Sequence, residues 1–224
     1  MYVEYAKNVY TYNGDDGIIE KIFEDVGIES GIVCEFGAWD GLYICVTRNL
    51  WKNRAPNFQG VLIENDPQKY TDMVENTRGL DVDLFNCGVD RNTNDPNSID
   101  NILDRCKYDI TPDNFAMMVI DIDSHDYYVM ESIEKYFPKI INIEVSSGYK
   151  PNEDLVSDTL GCSLKSAKEL GEKKGYKLIC HSGNAFLLRN DLVDRLPDWD
   201  FSIENLWQSP DKLMEKERRL KDDK

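Results

Sequence analysis

Apolar residues in this chain gather in short runs rich in β-branched and aromatic side chains, separated by longer stretches in which they recur every three or four positions. GIVCEF (31–36), GVLIEN (60–65), VDLFNCGV (82–89), MMVIDID (117–123), KIINIEV (139–145), YKLICHS (176–182) and NAFLLRN (184–190) predict seven strands. Between the first five lie LYICVTRNLW (42–51), PQKYTDMVENTR (67–78), SIDNILDRC (98–106) and DYYVMESIEKYF (126–137), each with apolar residues at helical spacing. Strand and helix in alternation predict a parallel sheet with helices on both faces.

The end of the chain departs from that alternation. A helix over 163–175, closed by Gly175, feeds the sixth strand, and only HSG separates strand six from strand seven. So short a link permits a hairpin but no parallel crossover, so the last strand is expected to run antiparallel to its neighbour. Ahead of the first strand, GDDGIIEKIFEDVG places Ile18, Ile19, Ile22 and Phe23 on one helical stripe, with Asp15 and Asp16 where the helix dipole favours acids. In FSIENLWQSPDKLMEKERRL, Ile203, Leu206 and Trp207 share a face, which suits docking on the body or on a second subunit. EKERRLK, running into KDDK, reads as a solvated helix end, and RNTNDPNS as a loop.

A chain of 224 residues can build its own core, and 41% hydrophobic content with twelve Tyr and eight Phe sets it apart from disordered sequences. A formal charge of −16 argues against nucleic acid as the partner, because a phosphate-tracking surface concentrates Lys and Arg. Six Cys without a CxxC pair fall partly inside apolar runs and read as reduced thiols. The N-terminus has neither the basic stretch nor the apolar core of a signal peptide, and no apolar run approaches the roughly 18 residues of a membrane span. Soluble, cytoplasmic and without membrane insertion is the expectation.

Ligands of open parallel sheets bind beyond the carboxyl ends of the strands, where strand order reverses. EFGAWDG (35–41) occupies such a position: Gly37 and Gly41 allow close backbone approach, while Glu35 and Asp40 offer acceptors to an amine or a ribose. Two carboxylates there disfavour a pyrophosphate. Glu64 follows at the end of the next strand, where nucleotide-binding sheets place an acid for the ribose hydroxyls.

With these motifs in place the chain resembles the class I S-adenosylmethionine-dependent methyltransferases, and within them the FkbM-like type. YTYNGDDGII is similar to the family's Y-S-Q-N-G-E-D-G-I, EFGAWDGLYICVTRNL to E-F-G-A-x-D-G-x-x-x-S-N-T-x-x-L, and GVLIEND to G-x-L-I-E-x-D. VIDIDSHDYYVMESI and NAFLLRNDL match the family's later segments. The resemblance implies a Rossmann-like fold with S-adenosyl-L-methionine held by Glu35, Gly37, Ala38 and Asp40 at its methionine and ribose parts. Glu64 with Asn65 would take the ribose, Asn86 and Cys87 the adenine edge, and Asp121 the methionine side. Asn13, Gly14 and Asp16 would close over it, giving a helical cap (1–30), a cofactor domain (31–195) and a helical tail (196–224). The departures, Tyr12 for Gln, Cys45 and Val46 for Ser and Asn, Ser124 and His125 for Gly and Asn, and IEVSSGYKP for I-E-Y-N-P, gather on the acceptor side.

DIDSHD (121–126) is the densest titratable group at any predicted strand end. Methyl transfer to a hydroxyl needs a proton acceptor, for which His125, oriented by Asp123 or Asp126, is suited, with Asp121 and Asp123 beside it. The plainer reading has His125 as a solvated first-turn residue of the following helix. Asp121, Asp123, Asp126 and Glu144 could alternatively hold Mg²⁺ or Ca²⁺. His181 is read as a turn residue, and Trp39, Tyr127, Tyr128 and Tyr149 as packing or as a stacking surface for a ring. The resemblance implies O-methylation of a small acceptor, a sugar or nucleotide-linked sugar. Against it stand a cofactor-binding protein without catalysis and a D-x-D phosphatase or glycosyltransferase, although the aspartyl phosphatase motif follows a first strand and this one follows the fourth.

Overall fold

The computed structural model describes residues 1–222, so Asp223 and Lys224, at the end of KDDK, lie outside the described residues. Strands β1 (Gly31–Phe36), β2 (Phe58–Glu64), β3 (Val82–Asn86), β4 (Phe115–Ile120) and β5 (Ile140–Glu144) are followed by a small hairpin, β6 (Val156–Ser157) with β7 (Gly161–Cys162), and then by β8 (Tyr176–His181) and β9 (Asn184–Arg189). The main sheet has seven strands in the order β3-β2-β1-β4-β5-β9-β8. β1 to β5 pair in parallel, and β9 runs antiparallel to both β5 and β8. All seven expected strands are present, and the short HSG link gives the antiparallel last strand. β9 lies one place in from the edge, which suits its continuous apolar run AFLL, buried throughout.

Helices α1 (Asp15–Val26), α2 (Pro67–Asn76), α3 (Ile99–Leu103), α4 (Asp126–Ser132) and α5 (Leu164–Lys173) cover the two faces, with α6 (Ile203–Leu206) and α7 (Pro210–Asp222) closing the chain. Alternation along the strands divides the core in two. Ile32, Cys34 and Phe36 of β1 pack with Ile102 of α3, Val129 of α4 and Ala167 of α5. Val33 and Leu62 face the other way, against Ile18, Ile22 and Phe23 of α1 and Met73 of α2. Leu206 is buried, with Ile203 and Trp207 partly buried beside it, so the tail docks on the body. Cys34, Cys45, Cys162 and Cys180 are buried free thiols, with Cys87 and Cys106 half-buried and unpaired.

Two expected helices are altered by side chains that capture backbone N–H groups. Over 42–51 the chain forms an irregular loop, with Ile44 at φ 54°, and becomes helical only as a π-helical turn at Asn49–Asn53. Glu35 takes the N–H groups of Val46 and Thr47, which are therefore unavailable to a helical ladder. Likewise α4 stops at Ser132, short of the expected 137, where the carboxylate of Asp100 accepts from the N–H groups of Glu134, Lys135 and Tyr136.

Candidate active site

The strand order reverses between β1 and β4, and there the loops leaving both strands meet. Gly37 has φ 77°, and a Cβ on it would lie 1.9 Å from the carbonyl oxygen of Asp121, so only glycine permits this approach. Above the contact lies a cavity of about 610 Å³, walled by the loops after β1 to β5, the 11–15 segment and the turn between β8 and β9. Its place at the carboxyl ends of the strands is that of the ligand crevice in doubly wound sheets.

Glu35 and Glu64 reach this cavity with different duties. Glu35, 2% exposed, accepts from Val46 N at 2.7 Å, Thr47 N at 2.9 Å, Thr47 Oγ1 at 2.6 Å and Cys45 Sγ at 3.1 Å. Burial raises its pKa and these four donors oppose the rise. Glu64 accepts one N–H on each oxygen, from Trp39 at 2.9 Å and from Asp66 at 2.7 Å, leaving further lone pairs on a carboxylate that lines the cavity. Asp40 takes another role: its Oδ1 accepts from Leu42 and Tyr43 N, capping the turn.

Of the other residues expected at the cofactor, Asn13, Gly37, Asn65, Cys87 and Asp121 line the cavity. Gly14, Asp16, Ala38, Asp40 and Asn86 do not line it; their work is to shape its walls. Gly14 begins α1 with φ 84°, and Asp16 gathers the N–H groups of Val9, Tyr10 and Thr11 on one oxygen. Ala38 N donates to the Ile63 carbonyl, and Asn86 Nδ2 to that of Glu64.

On the far side the carboxyl groups of Asp121, Asp123 and Glu144 each bring an oxygen to within 4.8 Å of the others, a set that could hold a divalent cation. Asp126, expected among them, turns back instead and accepts from the N–H groups of Ile122 and Ser124. Burial, then the neighbouring acids, push Glu144 up to about 8; burial likewise pushes Asp121 up to about 6, against its bond from Asn184. His125 also lines the cavity, but neither Asp123 nor Asp126 orients it. Its Nε2 lies 3.2 Å from the Val89 carbonyl and must donate to it, so Nδ1, 2.9 Å from Ser124 Oγ, accepts from that hydroxyl.

The third wall comes from residues read as strand, turn or tail. His181, fully buried, accepts the Gln208 N–H at Nδ1, 3.0 Å away, so Nε2 carries the proton and donates to Ser147 Oγ at 2.9 Å. Burial, helped by nearby Lys216, lowers its pKa to about 3, so it stays neutral. The arrangement is the reverse of a nucleophile and base pair, because the nitrogen facing the serine holds the proton. Asp15, Ser147, Asn184, and Leu213 and Glu217 of α7 line the cavity, whereas His181 does not itself line it and acts through Ser147. Asp15 and Asn184 fall inside YTYNGDDGII and NAFLLRNDL, and Ser147 inside IEVSSGYKP, but no signal singled any of them out for the site, and nothing in the sequence marked Leu213 and Glu217.

No protein-family model matches the chain, and no curated protein is similar to it. Solved structures do match. The CurJ carbon methyltransferase superposes with a TM-score of 0.50 at 10% identity, over 79% of this chain and 53% of its own, so the chain spans about half the length of that protein. A TehB-like SAM-dependent methyltransferase from Corynebacterium glutamicum gives a TM-score of 0.47 at 10% identity over 84% and 92% of the two chains. TYW2 of M. jannaschii, in complex with AdoMet, gives 0.44 at 17% identity over 76% and 75%. The fold is the Rossmann-like fold of class I methyltransferases.

Proposed function

We propose that this chain is an S-adenosylmethionine-dependent methyltransferase of FkbM-like type that acts on a carbohydrate acceptor, a sugar or a nucleotide-linked sugar, at a hydroxyl. The observation that carries the reading is Glu64: an acid at the end of β2, 7% exposed, fixed by two backbone N–H groups and lining a cavity at the strand-order reversal. That is where a nucleoside's vicinal hydroxyls find their acceptor in such sheets. Asn65 and Cys87 would flank the base, and Asn13, Glu35, Gly37 and Asp121 the amino-acid end. The ligand's sulfonium and ammonium suit a wall of carboxylates, and when bound it supplies a methyl group on a positively charged sulfur.

The acceptor side belongs to Asp121, Asp123, Glu144 and His125. A hydroxyl held there can pass its proton to a carboxylate of the cluster, or to Nδ1 of His125 once Ser124 releases it. Positioning within a walled cavity supplies much of the rate. Isothermal calorimetry with S-adenosylmethionine and with S-adenosylhomocysteine tests the reading: wild type binds both, Glu64→Ala neither. Failure of the wild type to bind either ligand would remove the proposal.

A further inference from the structure

We infer that Trp39 is a specificity-determining residue of the nucleoside site, its indole lying against the ribose edge of the bound cofactor. The inference rests on the methyltransferase reading and adds to it a side chain from the loop that links its two acids. That loop, leaving β1, is tied to Glu64 through Trp39 N at 2.9 Å and to Glu35 through Val46 N at 2.7 Å. Between these two anchors in the chain, Trp39 and Ile44 bring apolar side chains to the wall of the main cavity.

Among the described residues three other than glycine have a positive φ, Trp39 at 51°, Ile44 at 54° and Asp123 at 61°, and all three line that cavity. Aspartate tolerates the left-handed region, but a bulky or β-branched side chain occupies it at a cost. Such a conformation persists where the surroundings over-determine it. Here they do: Gly37 N and Ala38 N both donate to the Ile63 carbonyl, Trp39 N donates to Glu64, and Asp40 Oδ1 takes the N–H groups of Leu42 and Tyr43. The acid that offers lone pairs to a ribose therefore also fixes the backbone from which the indole projects.

The ring has surface to give a ligand, being 42% exposed. Lys69 Nζ of α2 sits 4.4 Å from its centroid, and Lys69 does not line the cavity, so the ammonium supports the ring from outside and leaves its other face to a ligand. Tyr127, Tyr128 and Tyr149, the other rings read as a stacking surface, do not line the cavity, and Tyr127 and Tyr128 pack edge to face on each other at 5.6 Å. The bond to Glu64 assigns Trp39 to the nucleoside and not to the acceptor. A ribose presents C–H groups beside its two hydroxyls, and an aromatic face next to a carboxylate is the complement of that edge.

Fluorescence and calorimetry on the full chain test this with S-adenosylhomocysteine and with 5′-methylthioadenosine, which lacks the amino-acid end. Of the four Trp, Trp39 is the one that lines the cavity, so both ligands are expected to change the tryptophan emission of the wild type and to shield it from acrylamide. Trp39→Phe should lose both effects while binding each ligand within about threefold of wild type. Trp39→Asn removes the ring but keeps a residue type that tolerates φ 51°, and should weaken both ligands by a similar factor, about fivefold or more. An emission change that survives in Trp39→Phe, unchanged affinity in Trp39→Asn, or a loss confined to S-adenosylhomocysteine overturns the inference alone. Wild type that binds neither ligand removes the methyltransferase reading, and this inference with it.

Discussion

His181 Nδ1 accepts the backbone N–H of Gln208 at 3.0 Å, and this bond, with that of Lys216 Nζ to the Ser182 carbonyl, ties the C-terminal segment to the turn that closes the sheet. It also sets which ring nitrogen is protonated, and so holds Ser147 as an acceptor in the cavity wall. His181→Ala leaves the Gln208 N–H without its partner, and a loss of about 1–3 kcal/mol in denaturant unfolding is expected. Linkage gives a second check. The folded chain keeps His181 neutral down to about pH 3, whereas the unfolded chain protonates it near 6.5. The unfolded state therefore binds more protons between those values, and stability falls as pH drops through that window. The alanine variant should lose this part of the pH dependence.

Glu144 contributes with the opposite sign. Folded, it ionises near 8; its ordinary value is 4.5. Between these the folded state binds more protons, so stability declines as pH rises through the window. Glu144→Gln, which cannot ionise, should flatten the fall in melting temperature between about pH 5 and 8 relative to wild type. An unchanged slope would mean that Glu144 is ionised in the folded chain.

Glu64 has a structural and a binding role that two variants separate. Glu64→Gln keeps an acceptor oxygen for one of the Trp39 and Asp66 N–H groups but removes the charge, and should weaken S-adenosylmethionine about tenfold with a small change in melting temperature. Glu64→Ala should abolish binding and also cost about 1–3 kcal/mol of stability from the two N–H groups left behind. Calorimetry and denaturant titration read the two effects apart.

His125 is expected to matter less for turnover than Glu144. Its Nε2 is committed to the Val89 carbonyl and its Nδ1 to Ser124. His125→Ala should lower kcat about tenfold or less and leave cofactor affinity within about threefold, while Glu144→Gln lowers kcat further. A larger loss in His125→Ala than in Glu144→Gln, in single-turnover rates, would return the base role to the histidine.

Lys216 is 6% exposed, and its Nζ donates to the Ser182 carbonyl at 2.7 Å. Lys216→Met removes that bond and the cation behind Asp15, and should destabilise the chain by about 1–3 kcal/mol. Amide exchange should rise along α7, whose Leu213 and Glu217 line the cavity. Protection unchanged in α7 would show that the helix is held by other contacts.

Most of the sheet was legible because its signal is local. A run such as MMVI can only be buried on both faces, and HSG is too short for anything but a hairpin, so seven strands and the antiparallel last one follow from the chain itself. Glu35, Gly37, Glu64 and Asp121 were legible for the same reason, since residues at strand ends point to the crevice by topology. Asp40 and Asp126 were not, because an aspartate at a loop can turn to its own backbone as readily as to a ligand, and here both do. The helix expected over 42–51 failed on a contact with Glu35, ten or more residues away, that no periodicity encodes.

The sequence by itself determined the layers, the strand direction and the acidic lining of the strand ends, all set by patterns a few residues long. Only the tertiary structure decided which acids face the cavity, which bind backbone, and that Asn184 and the tail share the wall with Asp121. Those choices depend on hydrogen bonds spanning 63 positions from Asn184 to Asp121 and 27 from Gln208 to His181, and they arise only when the folded sheet brings both partners together.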